Sequence, residues 1–198
     1  MVWLISCISG EEVVVGPGLD QTDDSSVIEG PCADDMVEVE DFCIDRYEAF
    51  VTDGVAENGE GETPTGYHSG EQAELYCEAA DKRLCTSEEW LHACQGEPPT
   101  TWPYGDTYDP TACNDSYPGG HPVVDYFGTS DGTWNTEHMN DPGINEQPDT
   151  VDPSGENLSC VSIDGVYDLH GNLHEWVAES VFRGGFYADA ELNGPGCT

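Results

Sequence analysis

The segment Gly165–Trp176 carries the residues of this chain that are best suited to chemistry. It reads Gly-Val-Tyr-Asp-Leu-His-Gly-Asn-Leu-His-Glu-Trp, so Asp168 and Glu175 flank the turn-forming pair Gly171-Asn172. A turn with carboxylates at both ends and carbonyls between them suits calcium, which takes about six to eight oxygen ligands. The alternative is a buried tight turn whose acids cap backbone amides. The spacing alone favours this second interpretation.

Two histidines in the same segment raise the question of zinc. His170 and His174 are four residues apart, and His174 directly precedes Glu175. A zincin motif needs His-Glu-x-x-His on one face of a helix. Gly171-Asn172 would break such a helix between the two histidines, so the order of residues argues against zinc. The sequence also contains no nucleophile elbow and no phosphate-binding glycine loop.

Two predicted helices precede this segment, and each begins with a capping box. Ser69 and Gln72 form the first box, and Thr86 and Glu89 form the second. Gly96 ends the second helix. Apolar residues recur at helical spacing and predict one buried face on each helix: Ala73, Tyr76, Cys77 and Ala80 on the first, Trp90, Ala93 and Cys94 on the second.

Other regular structure is sparse in the predicted pattern. Met36–Val39 alternates as a strand does, whereas residues 52–66 are rich in Gly and Glu and are expected to form a surface loop. Residues 97–160 show little periodicity and are predicted to be irregular. Lys82 and Arg83 lie between the two helices, and we expect them to form ion pairs with the acids around them.

The acidic composition limits the classes of function. Four Lys and Arg face 41 Asp and Glu, which gives a formal net charge of -37. Nucleic acid is excluded as a partner because phosphate binding needs basic side chains, and an anionic membrane surface would repel the chain. Aromatic residues and nine cysteines exclude global disorder. A salt-adapted surface and divalent-cation binding explain the acidity equally well, and both can hold.

The nine cysteines indicate disulfides and therefore an oxidising compartment outside the cytoplasm. Cys32 and Cys43 bracket the first predicted strands and could close a short loop. No apolar run is long enough to span a membrane. The tetrapeptide Leu4-Ile-Ser-Cys7 resembles a bacterial lipobox, in which Cys7 would carry a lipid anchor, although the apolar segment before it is short. We divide the chain into a leader remnant and acidic linker, residues 1–30, and a domain, residues 31–198.

Several blocks together resemble the formylglycine-generating enzyme family, also called the sulfatase-modifying factor family. They occur in the family's order: Phe42–Glu48, Ala73–Cys77, Lys82–Trp90, Ala93–Gly96, Trp102–Asp106, Gly165–Trp176 and Phe182–Gly185. Together they are specific, and they span roughly residues 31–187. The resemblance implies a C-type-lectin-like α+β domain with much irregular chain, two short helices and short antiparallel strands.

For the turn at Gly171-Asn172, the resemblance favours a calcium site over a purely structural turn, because in that family this turn is a calcium site. Calcium is therefore the expected cofactor. The carried-over ligands are the side chains of Asp168 and Glu175 and the carbonyls of Gly171 and Leu173. Asn114, in Ala112-Cys-Asn-Asp115, stands where the family begins a second calcium site. In the family, calcium and disulfides hold the long irregular region in place.

Active members of the family are copper-dependent oxidases that convert a sulfatase cysteine to formylglycine with molecular oxygen. Their Cu(I) lies between two thiolates, a soft linear arrangement. At the corresponding positions this chain has Asp189 and Gly194, and Phe186 replaces a serine. Cys197 alone lies nearby, and one thiolate cannot form the pair. Copper is therefore not expected, and no catalytic or cofactor-binding residue is assigned.

The resemblance has one further implication, for the C-terminal tail. In the family a final strand normally follows this region and carries a cysteine that pairs with the one matching Cys94. This chain stops at Thr198, so the domain is expected to be truncated, and a truncated domain would leave Cys94 without its partner.

We interpret the chain as an extracytoplasmic, calcium-stabilised domain of this family, secreted or lipid-anchored at a bacterial cell surface. It is expected to be a monomeric binding or surface module for an unidentified protein or small molecule, and whether it is an enzyme stays open. The alternative is a formylglycine-generating oxidase, or another enzyme of the family with displaced catalytic groups. A third interpretation is a salt-adapted structural protein whose folding depends on salt in general.

Overall fold

The computed structural model describes residues 3–5, 7–9, 32–188, 190 and 194–198. The strands in these ranges are β1 (Trp3–Ile5), β2 (Cys7–Ser9), β3 (Met36–Val39), β4 (Phe42–Asp45), β5 (Ala49–Thr52), β6 (Val55–Asn58), β7 (Arg83–Leu84), β8 (His174–Trp176) and β9 (Phe182–Arg183). The helices are α1 (Gly70–Ala79), α2 (Ser87–Gln95), α3 (Pro122–Phe127) and α4 (Thr136–Met139), followed by a 3-10 turn at Pro142–Ile144.

The described strands form three small sheets. One has the order β1-β8-β9, with β1 parallel and β9 antiparallel to β8. Another has the order β3-β4-β2-β7 and is antiparallel throughout, while β5 and β6 form a separate hairpin. No closed barrel occurs among the described strands, and together with the four described α-helices they form an α+β architecture, as the resemblance implies.

The N-terminal segment contributes backbone to two of these sheets. Strands β1 and β2 lie in the region assigned to a leader remnant and linker, and they pair with strands of the domain. Residues 10–31 lie outside the described residues, so the linker stays a prediction. The side chain of Cys7 also lies outside them, so its lipid anchor stays a prediction as well.

Both predicted helices and their capping boxes are confirmed. In α1 the Ser69 hydroxyl accepts from the Gln72 N–H at 3.2 Å, and the Gln72 side chain accepts from the Ser69 N–H at 3.0 Å. In α2, Thr86 and Glu89 make the same reciprocal pair. The faces predicted to be apolar are buried at these positions: Ala73, Cys77, Trp90, Ala93 and Cys94.

The two basic residues between the helices form the expected ion pairs. Lys82 Nζ lies 2.6 Å from Asp45 Oδ1, and Arg83 Nη2 lies 2.6 Å from Glu89 Oε1. Burial outweighs the attraction of Lys82 and raises the pKa of Asp45 to about 6. The hydrogen bonds from Arg83 instead lower the pKa of Glu89 to about 2.

The structure differs from the predicted loop at residues 52–66, because β6 occupies part of it. Strands β5 and β6 are joined by the two-residue turn Asp53-Gly54, whose φ angles are 53° and 83°. Positive φ at both central residues is the requirement of a type I′ hairpin, and Asp-Gly is one of its preferred sequences. The sequence therefore contains a hairpin motif at Asp53-Gly54. The high content of Gly and Glu around this motif led to the prediction of a loop.

Residues 97–160 also contain more regular structure than predicted. Helix α3 begins after the N-cap His121, has Pro122 at its first position and ends at Gly128 with a φ of 69°. Helix α4 begins after Asn135, whose side chain accepts a backbone hydrogen bond. These helices are too short to show apolar periodicity, and their capping residues are the signal that remains.

The described residues pair six cysteines in three disulfides: Cys32–Cys43, Cys94–Cys197 and Cys113–Cys160. Cys77 is disulfide-bonded as well. The short loop closed by the first pair was predicted. The expectation that Cys94 lacks its partner is wrong, because the tail returns to the end of α2. There the Cys197 N–H donates to the Thr101 carbonyl at 2.9 Å.

The main hydrophobic core joins β3, β4 and α2 to the segment that carries the candidate ligands. Its buried members include Val37, Val39, Ile44, Trp90, Ala93, Val166, Leu169 and Val177. A second cluster packs α1 against β5, β6 and β7 through Ala49, Ala56, Ala73, Cys77 and Leu84. The segment 165–177 is therefore one wall of the main core. In the part of the chain that the structure describes, no helix combines the length and apolar character that a membrane crossing requires.

Candidate metal centre

The predicted turn lies inside the protein, and aromatic residues hold both of its ends. Residues 168–175 are all buried, while Tyr167 and Trp176 are half-buried. The Tyr167 ring stacks on Tyr47 with ring centroids 5.1 Å apart. The Trp176 indole N–H donates to the carbonyl of His68 at 3.0 Å. These two contacts anchor both ends of the turn in the protein.

The backbone of the turn depends on conformations that few residues adopt. The φ angles of Asp168, Gly171 and Asn172 are 59°, 82° and 47°. A Cβ atom at Gly171 would lie 2.3 Å from the carbonyl oxygen of Asn114, so only glycine fits there. This close approach lets the Asn172 N–H donate to the same carbonyl at 2.7 Å.

The two predicted acidic ligands are buried, and each receives a hydrogen bond. Asp168 Oδ2 accepts from the Gly155 N–H at 2.7 Å, and Glu175 Oε2 accepts from the Trp90 indole N–H at 2.8 Å. Asp168 Oδ1 is buried and has no hydrogen-bond partner among the described residues. A buried carboxylate oxygen without a donor is costly, because its hydration has been lost and not replaced. Asp168 therefore has one oxygen to offer to a cation.

A third carboxylate, Glu48, lies beside these two and was not predicted. Its side chain enters from the connection between β4 and β5 and is 3% exposed. Glu48 Oε1 accepts from the Leu173 N–H at 3.2 Å, and Oε2 accepts a short hydrogen bond from the Asn172 side-chain amide. No local pattern separates Glu48 from the other acids of the sequence, because its partners lie far away in the chain.

Burial and mutual repulsion raise the pKa values of this acidic group. Burial, and then the charges of Asp168 and Glu175, hold the pKa of Glu48 well above its ordinary value. Burial raises the pKa of Asp168 to about 7, although the Gly155 N–H works in the opposite direction. A small cavity of about 10 Å³, lined by Glu48 and Glu175 among others, has room for about one water-sized particle.

The calcium ligand set stays a prediction in this structure. Among the described residues, no group of three or more His, Cys, Asp or Glu is arranged to hold a metal ion. The predicted set needs two carboxylates, Asp168 and Glu175, and takes its other oxygens from carbonyls, as calcium sites do.

Asn114, the candidate for a second calcium site, contacts the first turn. Its side-chain amide donates to the Thr150 carbonyl at 2.6 Å and to Asn172 Oδ1 at 3.0 Å. With its backbone carbonyl on the Asn172 N–H, Asn114 ties a distant loop to the turn. Its role as a ligand of a second ion stays a prediction.

The two histidines contact different groups. His170 Nε2 lies 3.4 Å from Asp115 Oδ2. The His174 ring packs against Phe182 and Phe186, with centroids 4.6 and 5.1 Å away. Burial lowers the pKa of His174 to about 4, so it is neutral at neutral pH. The two rings therefore have different neighbours among the described residues.

The positions that hold copper in the oxidases are occupied differently here. Asp189 lies outside the described residues, and Gly194 has no side chain to offer. Cys197, the one cysteine near them, is bonded to Cys94 and is therefore not a thiolate. Phe186, at the position of the family's serine, packs against His174 and Tyr187.

Comparison with known families agrees with the blocks found in the sequence. The family model described as the sulfatase-modifying factor enzyme 1-like domain matches residues 50–187. The match covers more than half of the chain, so the chain belongs to this family. Comparison with individual curated proteins gives no match.

Proposed function

We propose that this chain is an extracytoplasmic domain that calcium stabilises at the turn 168–175, and that it works as a binding module. The observation that carries the proposal is Asp168 Oδ1, a buried carboxylate oxygen without a donor in a group of three buried acids. Asp168 and Glu175 would hold the ion with the carbonyls of Gly171 and Leu173. The ion would supply the counter-charge that the four basic residues of the chain are too few to provide.

Glu48 has a separate part in this proposal. It holds the turn in place, because its two oxygens accept from Leu173 and Asn172. In this proposal, these bonds keep the segment between Gly171 and Leu173 where its carbonyls would reach the ion. Glu48 is therefore a positioning residue for the calcium site, and its charge adds to the local attraction for a cation.

The disulfides support the assignment of the compartment, because such bonds persist in oxidising surroundings. The binding role is supported by the tail, where Cys197 is in a disulfide and Gly194 replaces a copper ligand. The proposal includes a C-type-lectin-like fold and a monomeric state. The alternatives are an oxidase with displaced ligands, for which Cu(I) titration would show tight binding, and a salt-adapted structural protein.

The calcium proposal is tested by thermal unfolding at fixed ionic strength. Calcium is expected to raise the melting temperature, since a ligand at a hundredfold excess over its Kd stabilises by about 2.7 kcal/mol. Magnesium and sodium are the matched controls for charge and salt. Glu175→Gln keeps the size of the side chain and is expected to reduce the effect of calcium. An equal response to all three ions, unchanged by Glu175→Gln, would mean that the turn is only structural.

A further inference from the structure

A second cavity, of about 120 Å³, lies beside the C-terminal tail and is separate from the small acidic cavity. Its walls include Trp102, Tyr108, Asp115 and His170, and the tail closes it with Pro195 and Gly196. The Cys94–Cys197 disulfide and the Cys197–Thr101 hydrogen bond fix the tail in this place. The cavity is thus built from three distant parts of the sequence.

Asp115 is the charged group of this cavity. Its side chain is 1% exposed, and Oδ1 accepts from the Tyr108 hydroxyl at 3.3 Å. Oδ2 is buried without a hydrogen bond to any described residue, and His170 Nε2 is 3.4 Å away. No Lys or Arg among the described residues forms an ion pair with Asp115. The cavity therefore contains a carboxylate oxygen that accepts no hydrogen bond from a described residue and has the His170 ring nitrogen 3.4 Å away.

The other walls indicate the chemistry of the missing donor. The rings of Trp102 and Tyr108 lie 5.7 Å apart and are tilted by 44°. Aromatic faces next to a carboxylate attract organic cations, through the ring quadrupole and the charge together. The unpartnered oxygen of Asp115 adds the requirement of an N–H donor, which a primary ammonium has and a quaternary ammonium lacks. The net charge of -37 raises the local concentration of any cation.

The volume sets the size of the ligand. A cavity of about 150 Å³ in another protein holds benzene, so 120 Å³ corresponds to about four or five non-hydrogen atoms. We propose that this cavity binds the ammonium end of a primary alkylamine, either a free amine or the end of a lysine side chain. The inference rests on the proposed binding role, for which it names the ligand class, and does not depend on calcium at the turn.

The test is isothermal titration with n-propylammonium chloride at saturating calcium, with sodium chloride keeping the ionic strength constant. Saturable binding is expected, and tetramethylammonium and n-propanol are expected to bind at least about tenfold more weakly because each lacks one of the two required features. Equal binding of propylammonium and tetramethylammonium, or no saturable binding of propylammonium, would overturn the proposal. A capped lysine amide that binds as well as propylammonium identifies a lysine side chain as the ligand, whereas binding of the free amine alone identifies a small molecule.

Two variants locate the site. Asp115→Asn removes the charge and is expected to weaken propylammonium binding about tenfold or more, whereas Asp131→Asn, at an exposed acid, leaves it unchanged. Trp102→Leu removes an aromatic wall and weakens binding severalfold without touching the carboxylate. Parental affinity in both Asp115→Asn and Trp102→Leu would refute the site. If the parent protein binds no amine but its melting temperature still responds to calcium, this inference is rejected and the calcium proposal stands.

Discussion

Glu48 accepts a hydrogen bond from the backbone N–H of Leu173 at 3.2 Å, although 125 residues separate them in the sequence. The same side chain accepts from the Asn172 amide. One buried acid thus holds two consecutive residues of the turn, and its carboxyl group lies near Asp168 and Glu175, whose charges raise its pKa. The turn keeps its form because a distant strand connection supports it.

The first prediction follows from this contact. Glu48→Gln removes a charge from the buried group and places an amide N–H₂ opposite donors. We expect calcium affinity to fall about tenfold or more, because the attraction between the ion and the protein decreases. Calcium-dependent melting temperatures measure the effect. Glu38→Gln, at an exposed position of β3, is the control and is expected to respond like the parent. An unchanged calcium response in Glu48→Gln would separate Glu48 from the site.

The second prediction concerns Gly171. Gly171→Ala would bring a Cβ within 2.3 Å of the Asn114 carbonyl at a φ of 82°. We expect a loss of about 3 kcal/mol or more in the free energy of unfolding, from backbone strain and overlap together. Urea denaturation measures this value.

Gly61 offers a matched control for the conformational part of that loss. Its φ is 79°, and nothing lies within 4 Å of the Cβ that Gly61→Ala would add. That variant is expected to lose only about 1 kcal/mol. Equal losses in Gly61→Ala and Gly171→Ala would mean that the loop at Asn114 moves away without cost.

The third prediction concerns pH. The pKa of Glu89 is about 2 in the folded protein and 4.5 without its partners, so ionised Glu89 stabilises the fold above pH 4.5. This contribution is lost as the pH falls through 4.5 towards 2. It is expected to stay below about 1 kcal/mol, because solvent screens the pair with Arg83.

Urea denaturation of the parent and of Glu89→Gln from pH 6 to pH 2.5 checks this sign. The difference in stability is expected to be constant above pH 5 and to shrink below it. Glu88→Gln, at the exposed neighbour in the same helical turn, controls for a general change in net charge. A difference that grows as the pH falls would contradict the assigned direction.

The fourth prediction compares two disulfides. The Cys94–Cys197 bond spans 103 residues and the Cys32–Cys43 bond spans 11. A disulfide that closes a longer loop removes more entropy from the unfolded chain. Replacing both Cys94 and Cys197 by Ala is therefore expected to lower the free energy of unfolding by about 5 kcal/mol. Replacing both Cys32 and Cys43 by Ala is expected to lower it by about 3 kcal/mol. Urea denaturation of the two double variants gives the order, and a reversed order would show that strain or residual structure outweighs loop length.

The parts of this fold that sequence could predict are those fixed by near neighbours. The capping boxes at Ser69 and Thr86 act over three residues, and both formed as expected. Asp53-Gly54 acts over four residues and could have been recognised by its hairpin preference. Cysteine connectivity has no such local signal, so the partner of Cys94 could not be derived.

The candidate site divides in the same way. Asp168 and Glu175 could be predicted as site residues from the sequence, because a turn and two aromatic residues flank them within one segment. Glu48 could not be predicted in this way, because its partners depend on how β4 and β5 are placed against the turn. The unpartnered oxygens of Asp168 and Asp115 are properties of packing, and only three-dimensional contacts reveal them.

The residues that hold the turn in place are distant from it in the sequence. This separation determines when the turn can form during folding. Its hydrogen bonds connect Asp168 to Gly155, Asn172 to Asn114 and Leu173 to Glu48, across 13, 58 and 125 residues. Contacts of high sequence separation form slowly, because loop entropy must be lost before they are gained. A cation that needs this turn would bind only a nearly complete domain. Its uptake would therefore mark the last stage of folding, in contrast to ion sites built from one continuous loop.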